Sequence, residues 1–225
     1  MSGLMRHATA RWALVGLLTL SLAALAVELD VITDPQIAKL AQQFGPIAKS
    51  RLSDGRGLVN SAKNKALQQE REKLELVNDF MNRTEFVADI KHWGKEDYWA
   101  TPVEFLATNG GDCEDYSIAK YFALRSLGVP DEKLRITYVK ELVIYNEAHM
   151  VLAYFPSPDA EPLVLDNINK SIRPASSRTD LLPVYSFNGS GLWLAKDQTG
   201  RGQSVGGSDR IGHWKDVQSR LRAAM

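Results

Sequence analysis

The sequence is poor in cysteine, since Cys113 is the single thiol in 225 residues. An intramolecular disulfide is therefore excluded, and the fold must be stabilised by packing. The sequence also lacks an excess of charge, because 27 lysines and arginines balance 27 aspartates and glutamates. Proteins that bind phosphate backbones usually carry a clear basic excess, so this balance argues against a nucleic-acid partner.

Long hydrophobic runs are also missing, except for an uncharged segment over residues 12–27 that follows a basic start. This segment is shorter than the ~20 residues that a helix needs to cross a bilayer, which disfavours a permanent membrane anchor. Ala24-Leu25-Ala26 fits the small-residue pattern that precedes signal-peptidase cleavage. We therefore predict a signal peptide over residues 1–26, followed by a single exported domain over residues 27–225.

Apolar residues recur at spacings of three and four in several segments, which indicates amphipathic helices. We predict helices over residues 34–44, 61–92, 101–106, 112–127 and 209–221. The polar residues 82–84 are a candidate interruption of the longest one. Asp112 is a favourable N-cap residue, so Cys113 is predicted to lie in the first turn of its helix.

From Leu134 onward, β-branched and aromatic residues replace the helical pattern, which predicts strands. The predicted strands cover residues 134–145, 149–155 and 163–166, with shorter candidates at 184–187 and 192–195. Helices followed by strands predict an α+β fold in which N-terminal helices pack on an antiparallel sheet. The glycine-rich residues 200–207 lack the lysine and the strand-to-helix setting of a phosphate loop, so a flexible loop is predicted there.

Cys113 has the local setting of a nucleophile. Backbone N–H groups at a helix N-terminus favour the thiolate, and a nearby imidazole would favour it further. The preceding Gly110-Gly111 either leaves amides open to hold an oxyanion or only ends the previous helix. A lone cysteine is also often a small buried hydrophobe, so the assignment depends on a partner histidine.

His149 opens a predicted strand, and Asp166 closes the next one. We predict an antiparallel hairpin in a register that places His149 directly opposite Asp166. Opposed strand residues have Cβ atoms about 4.5–5.5 Å apart, close enough for a carboxylate to accept the imidazole N–H. Each residue alone also has a structural interpretation, as a core histidine and as an Asx turn with Asn167. Together with the cysteine, they reproduce the order of nucleophile, base and orienting residue.

Three segments resemble the bacterial transglutaminase-like cysteine proteinases: residues 110–116 (GGDCEDY), 147–152 (EAHMVL) and 164–167 (VLDN). The similarity extends over residues 78–172 and includes Tyr-Trp-Ala-Thr-Pro at residues 98–102. It implies a papain/transglutaminase-like fold. All three positions of the family's catalytic triad are matched, which implies Cys113 as nucleophile, His149 as base and Asp166 as the residue that orients the histidine.

The resemblance also implies a biological setting that composition does not. Members of this family are expected to be periplasmic endopeptidases that cleave the N-terminal region of a large surface adhesin, typically at a pair of alanines. Cleavage releases the cell from a biofilm. The expected regulatory partner is an inner-membrane cyclic-di-GMP receptor, whose periplasmic domain captures the protease.

The family requires calcium, and the resemblance implies Asp112 and Glu114 as ligands, with Asp115 as a third. These are three carboxylates within four residues, and Ca²⁺ prefers such oxygen donors. The spacing is not that of an EF-hand. Without the resemblance, the same residues are acidic side chains favoured at a helix N-terminus.

Other interpretations stay open at this point. A transglutaminase or amidase would use the same triad, and a catalytically silent binding module could share the fold. Trp93, Tyr98 and Trp99 cluster before the predicted catalytic helix and could dock a partner or belong to the core.

Overall fold

The computed structural model describes residues 32–65, 67, 69–197, 199–200 and 202–223. The predicted signal peptide, residues 1–26, lies outside this part of the chain. Among the described residues, no helix is both long enough and apolar enough to cross a membrane.

The helices of the described residues precede most of the sheet, as the sequence predicts. They are α1 (Asp34–Phe44), α2 (Ile47–Asn64), α3 (Glu70–Met81), α4 (Asp89–His92), α5 (Pro102–Thr108), α6 (Cys113–Ser126) and α7 (Gly212–Ala223). Helix α6 is buried over most of its length and packs against the sheet, with α3 and α5 beside it. The start of this central helix therefore lies where helices and sheet meet.

The predicted helix over residues 61–92 is wrong as one continuous element, although its candidate interruption at residues 82–84 does follow the end of α3. Helix α2 ends at Asn64, α3 ends at Met81, and a short strand separates α3 from α4. The side chain of Asn82, in the polar segment after α3, donates to the main-chain oxygen of Asp166 at 2.9 Å. This long-range bond forms where the chain leaves the helix, at the point where the apolar pattern would have continued.

Helix α2 was not predicted because Gly55 and Gly57 interrupt its sequence pattern. Its buried residues nevertheless recur at helical spacing, from Ala48 and Leu52 to Val59. Gly55 is needed for close packing, since a Cβ built there would lie 2.7 Å from Leu106 Cδ1 of α5. The glycine that weakens the helical signal thus allows two helices to approach.

The strands within the described part of the chain form two sheets. A parallel pair joins β1 (Glu85–Phe86) to β2 (Gly110–Gly111), and a seven-stranded antiparallel sheet has the order β6-β5-β4-β3-β7-β8-β9. The strands of the large sheet are β3 (Leu134–Glu141), β4 (Ala148–Tyr154), β5 (Leu163–Leu165), β6 (Arg173–Pro174), β7 (Leu181–Phe187), β8 (Leu192–Ala195) and β9 (Gly202–Gly206). Mixed helices and antiparallel sheet confirm the predicted α+β class.

Two predictions about the sheet are wrong. Residues 202–206 form β9 instead of a flexible loop, and a Cβ at Gly202 would lie 1.8 Å from the main-chain oxygen of Leu194. Leu152 pairs with Leu165, which is offset by two residues from the register that would place His149 opposite Asp166. Because a shift of two keeps side chains on the same face, both residues still face the same side.

Candidate active site

Cys113 is the first residue of α6, as predicted, and directly follows β2 and Asp112. Its thiol donates to Glu114 Oε2 at 3.0 Å, and the backbone N–H of Met150 on β4 also donates to the sulfur. Cys113 and His149 line the same cavity of about 620 Å³. The helix start and the first residues of β4 therefore bring the predicted nucleophile and base to one site.

His149 and Asp166 form a direct pair, with Nε2 of the histidine 2.9 Å from Oδ1 of the aspartate. Both side chains are buried, at 5% and 1% exposure. Because Nε2 is engaged by the carboxylate, Nδ1 is the ring nitrogen that can exchange a proton with a thiol or a substrate. In the observed register the two residues lie diagonally across β4 and the end of β5, and this placement still allows the predicted contact.

Asp166 is held as a carboxylate. Its Oδ2 lies 2.7 Å from Nη2 of Arg178, and its Oδ1 accepts the backbone N–H of Ile168 at 3.0 Å. Burial alone would raise the pKa of Asp166, but the hydrogen bonds from His149, Ile168 and Arg178 outweigh it and lower that pKa well below its ordinary value. Asp166 is therefore ionised at neutral pH, as an orienting residue must be.

The main chain of Asp166 is fixed as well. Its carbonyl oxygen accepts from Asn82 Nδ2 at 2.9 Å and from Lys120 Nζ at 3.0 Å. Burial lowers the pKa of Lys120 to about 7. Our sequence analysis missed Asn82, Lys120 and Arg178. Lys120 carried a signal, because it lies seven residues after Cys113 and hence on the same face of α6, among apolar residues.

Carboxylates surround the start of α6. Oxygen atoms of Asp89, Asp112 and Asp115 lie within 4.8 Å of one another, as do those of Asp89, Asp97 and Glu114. The predicted residues Asp112, Glu114 and Asp115 are thus brought together, and α4 and the loop after it add Asp89 and Asp97, which the sequence analysis missed. Their signal was hidden because they fall in or just beyond the helix wrongly predicted over residues 61–92.

The donor set fits a calcium ion. Oδ1 of Asp89 and Oδ1 of Asp112 are buried and have no hydrogen-bond partner among the described residues, although buried carboxylate oxygens normally have one. Burial, followed by the charges of neighbouring carboxylates, raises the pKa of Asp112 to about 9. Burial likewise raises the pKa of Asp89 to about 6. A divalent cation would supply the missing partner and the missing charge.

Asp115 has a structural contact for each of its oxygens. Oδ1 accepts the backbone N–H of Ala100 at 2.6 Å, and Oδ2 accepts that of Asp112 at 3.2 Å. Burial raises the pKa of Asp115 well above its ordinary value. This residue therefore ties the start of α6 to the segment before α5, in addition to lying within the acidic cluster.

The two glycines before Cys113 are required by packing. A Cβ at Gly110 would lie 2.6 Å from the His92 ring, and one at Gly111 would lie 2.5 Å from Oδ2 of Asp115. The end of α5 is marked by Asn109, whose φ of 55° is left-handed. The close approach of His92 and Asp115 gives a reason for both glycines that is independent of any oxyanion.

The electrostatics at the sulfur run against ionisation in this arrangement. Burial is the largest cause that raises the pKa of Cys113, followed by the charge and hydrogen bond of Glu114 and the charge of Asp112. The Met150 N–H bond lowers it, but by less. Neutralising the carboxylates beside the thiol would therefore remove the charge contributions that raise its pKa.

Comparisons with known proteins identify the family of this chain. Residues 54–196 match the family model described as bacterial transglutaminase-like cysteine proteinase BTLCP. The chain belongs to this family. No curated protein sequence matches it.

The chain is also similar to solved structures of LapG from Legionella pneumophila. An EGTA-treated LapG structure is 43% identical, with a TM-score of 0.72, and the match covers 83% of this chain and 96% of that one. A calcium-bound LapG structure is 43% identical, with a TM-score of 0.70, and the match covers 83% and 98%. The fold is the transglutaminase-like fold of LapG, and this family member is a cysteine peptidase.

Proposed function

We propose that this protein is a calcium-dependent periplasmic cysteine endopeptidase that cleaves the N-terminal region of a large surface adhesin at a pair of alanines. The observation that carries the proposal is the buried His149–Asp166 pair at 2.9 Å, whose histidine lines the same cavity as Cys113. Nucleophile, base and orienting residue are the roles that peptide cleavage by a thiol requires.

In the proposed reaction, His149 takes the thiol proton on Nδ1, and the thiolate of Cys113 attacks the carbonyl carbon of the scissile peptide. The imidazolium then gives its proton to the leaving amine as the C–N bond breaks, which leaves an acyl-enzyme. His149 next removes a proton from water, the water oxygen attacks the thioester, and the thiol leaves. Asp166, held ionised by Arg178, keeps the imidazole oriented and stabilises its protonated form.

Calcium dependence is supported by the acidic cluster and by the similarity to a calcium-bound LapG structure. Asp89, Asp112 and Glu114 are the residues that would hold the ion, with Asp97 and Asp115 beside them. When bound, calcium supplies positive charge that neutralises the carboxylates next to the thiol. Because Glu114 is both a predicted ligand and the acceptor of the Cys113 thiol, its carboxylate links the metal site to the nucleophile.

The adhesin substrate, the periplasmic location and the cyclic-di-GMP receptor rest on the family resemblance and on the predicted signal peptide over residues 1–26. Export places the protease in the compartment where such an adhesin is anchored. A receptor in the inner membrane would then control access to the protease by capturing it.

The test is to incubate the purified protein with the N-terminal fragment of the organism's own alanine-containing adhesin and to analyse the products by mass spectrometry. We expect two shorter products with calcium and none with a chelator or with Cys113→Ala. Longer products would instead establish a transglutaminase, and deamidation without chain cleavage would establish an amidase. Lack of any product, together with lack of reaction with an active-site thiol probe, would leave a binding module.

A further inference from the structure

The loop of residues 142–147, between β3 and β4, exposes a run of apolar side chains. Leu142 is 42% exposed, Val143 73%, Ile144 61% and Tyr145 61%. Single exposed apolar residues are normal on a protein surface, but contiguous ones usually mark a binding site. The exposure of these four apolar side chains therefore points to a role in binding.

The exposure of the 142–147 loop does not come from a lack of structure. The carboxylate of Glu141, at the end of β3, accepts the backbone N–H groups of Val143 at 2.8 Å, Ile144 at 2.9 Å, Tyr145 at 2.6 Å and Asn146 at 3.3 Å. Burial would raise the pKa of Glu141, but these N–H groups lower it to about 2. A single carboxylate thus fixes the loop backbone and holds its side chains toward solvent.

The same loop is tied to the rest of the site. The backbone N–H of Glu141 donates to the carbonyl of Glu147 at 2.9 Å, which closes the loop at its base. The backbone N–H of Leu142 donates to the carbonyl of Asp180 at 2.8 Å, and the Asp180 side chain pairs with Arg178. Because Arg178 also holds Asp166, the loop and the orienting aspartate share one support.

The loop is continuous with the catalytic cavity. Tyr145 and Glu147 line that cavity together with Cys113 and His149. Phe86, which is 63% exposed, lines it from a different element. Phe86 is paired with Gly111 in the parallel β1–β2 pair, two residues before the nucleophile. Two separately anchored aromatic side chains therefore border the space in which a peptide must lie to reach the thiol.

We propose that the 142–147 loop, positioned by Glu141, is a substrate-binding wall that takes the apolar side chains of an extended peptide next to the scissile bond. The inference rests on the proposed peptidase function. An extended peptide is the occupant that fits, because the apolar run leads directly into the cavity of the thiol. Glu147, which also lines the cavity, disfavours acidic residues in that peptide.

The test uses alkylation of Cys113, which does not depend on the adhesin. An apolar tripeptidyl chloromethyl ketone forms a thioether with the thiol and releases chloride and the thiol proton. Iodoacetamide forms a thioether with loss of iodide and the thiol proton, and it carries no peptide. The variants are Ile144→Ala, Tyr145→Ala and Glu141→Gln. The matched control is Ile47→Ala, since Ile47 is also 61% exposed but lies at the start of α2 and not in the 142–147 loop.

We expect each loop variant to slow alkylation by the peptidyl reagent about tenfold, the effect of losing an apolar contact in a specificity pocket, with the iodoacetamide rate unchanged. For Glu141→Gln, the melting temperature is measured alongside, and Ile144→Ala and Tyr145→Ala replace side chains too exposed to be needed for folding. The control variant should match the wild type with both reagents.

Equal ratios of the two rates in the loop variants and in the wild type would overturn the proposal. So would loop variants that keep normal alkylation by the peptidyl reagent but lose binding to a receptor domain, because the loop would then serve a regulatory partner. If the loop variants behave as expected and the wild type still fails to cleave the adhesin fragment, the adhesin assignment falls and the substrate wall stands.

Discussion

Replacing Arg178 by methionine should remove the support of the orienting aspartate. Arg178 is 2% exposed, and its Nη2 lies 2.7 Å from Asp166 Oδ2 and 2.6 Å from Asp180 Oδ2. Asp180 can turn to solvent, but Asp166 is buried, so the variant leaves one carboxylate without its cation. Breaking a buried pair in this way costs about 3–5 kcal/mol, a large share of the roughly 5–15 kcal/mol that stabilises an ordinary domain.

The assay is urea unfolding at neutral pH, followed by tryptophan fluorescence, with the exposed pair Arg71–Glu75 as the control. That pair has a similar N–O distance of 2.7 Å, but its side chains are 46% and 53% exposed. Arg71→Met should therefore cost less than about 1 kcal/mol. If Arg178→Met destabilises the protein no more than Arg71→Met does, the argument from burial is refuted.

The same pair predicts a pH dependence. The pKa of Asp166 is lowered in the folded protein. The ionised form of Asp166 therefore contributes stability above the unfolded pKa of ~3.9, and this stability is lost as the pH falls through the folded pKa. Removing Arg178 raises the folded pKa toward the ordinary one. The stability difference between wild type and Arg178→Met should therefore be full at pH 7 and shrink below about pH 4. A stability difference between the two proteins that grows as the pH falls would contradict the predicted direction.

Three further predictions concern the site. Asp166→Asn should lower kcat by orders of magnitude with little change in the fold, and steady-state kinetics showing a loss below about tenfold would move the orienting role to another residue. Calcium at about 100 times its dissociation constant should stabilise the protein by about 2.7 kcal/mol. Differential scanning calorimetry should show that this gain disappears in Asp89→Asn and persists in Asp79→Asn, whose side chain is exposed on α3. Burial lowers the pKa of Lys120 to about 7, so above that pH the unfolded chain binds more protons than the folded protein. Wild type should therefore gain stability relative to Lys120→Met between pH 7 and 9, as measured by urea unfolding at each pH. Equal pH dependences of the two proteins would show that Lys120 does not titrate in this range.

Local signals in the sequence predicted the parts of the site that depend on neighbouring residues. Thr101 and Pro102 begin α5, Asp112 precedes α6, and Cys113 is the first residue of that helix, because caps and first-turn residues act within a few positions of each other. The hairpin of β4 and β5 was predicted, but its register was not. Nothing within the turn after Tyr154 marks which residue pairs with Leu152.

The residues that were missed are those brought in by tertiary contacts. Asn82 reaches the carbonyl of Asp166 across 84 positions of sequence, and Asp89 joins the acidic cluster from a helix that a longer helical pattern concealed. Arg178 lies on the loop after β6, where arginine is ordinarily a solvent-exposed residue. Its burial follows only from the packing of that loop against Asp166, which no local pattern encodes.

Helix α7 has a consequence for when the protein can become active. Arg220, close to its end, donates to the carbonyl of Trp99, to the Tyr98 hydroxyl at 3.1 Å and to Glu104. These partners belong to the segment whose Ala100 N–H holds Asp115 at the start of α6. During synthesis, the thiol and its acidic neighbours are made long before Arg220 emerges. The Arg220 contacts cannot form before residue 220 is present, so an incomplete chain would carry the catalytic residues without this part of their surroundings.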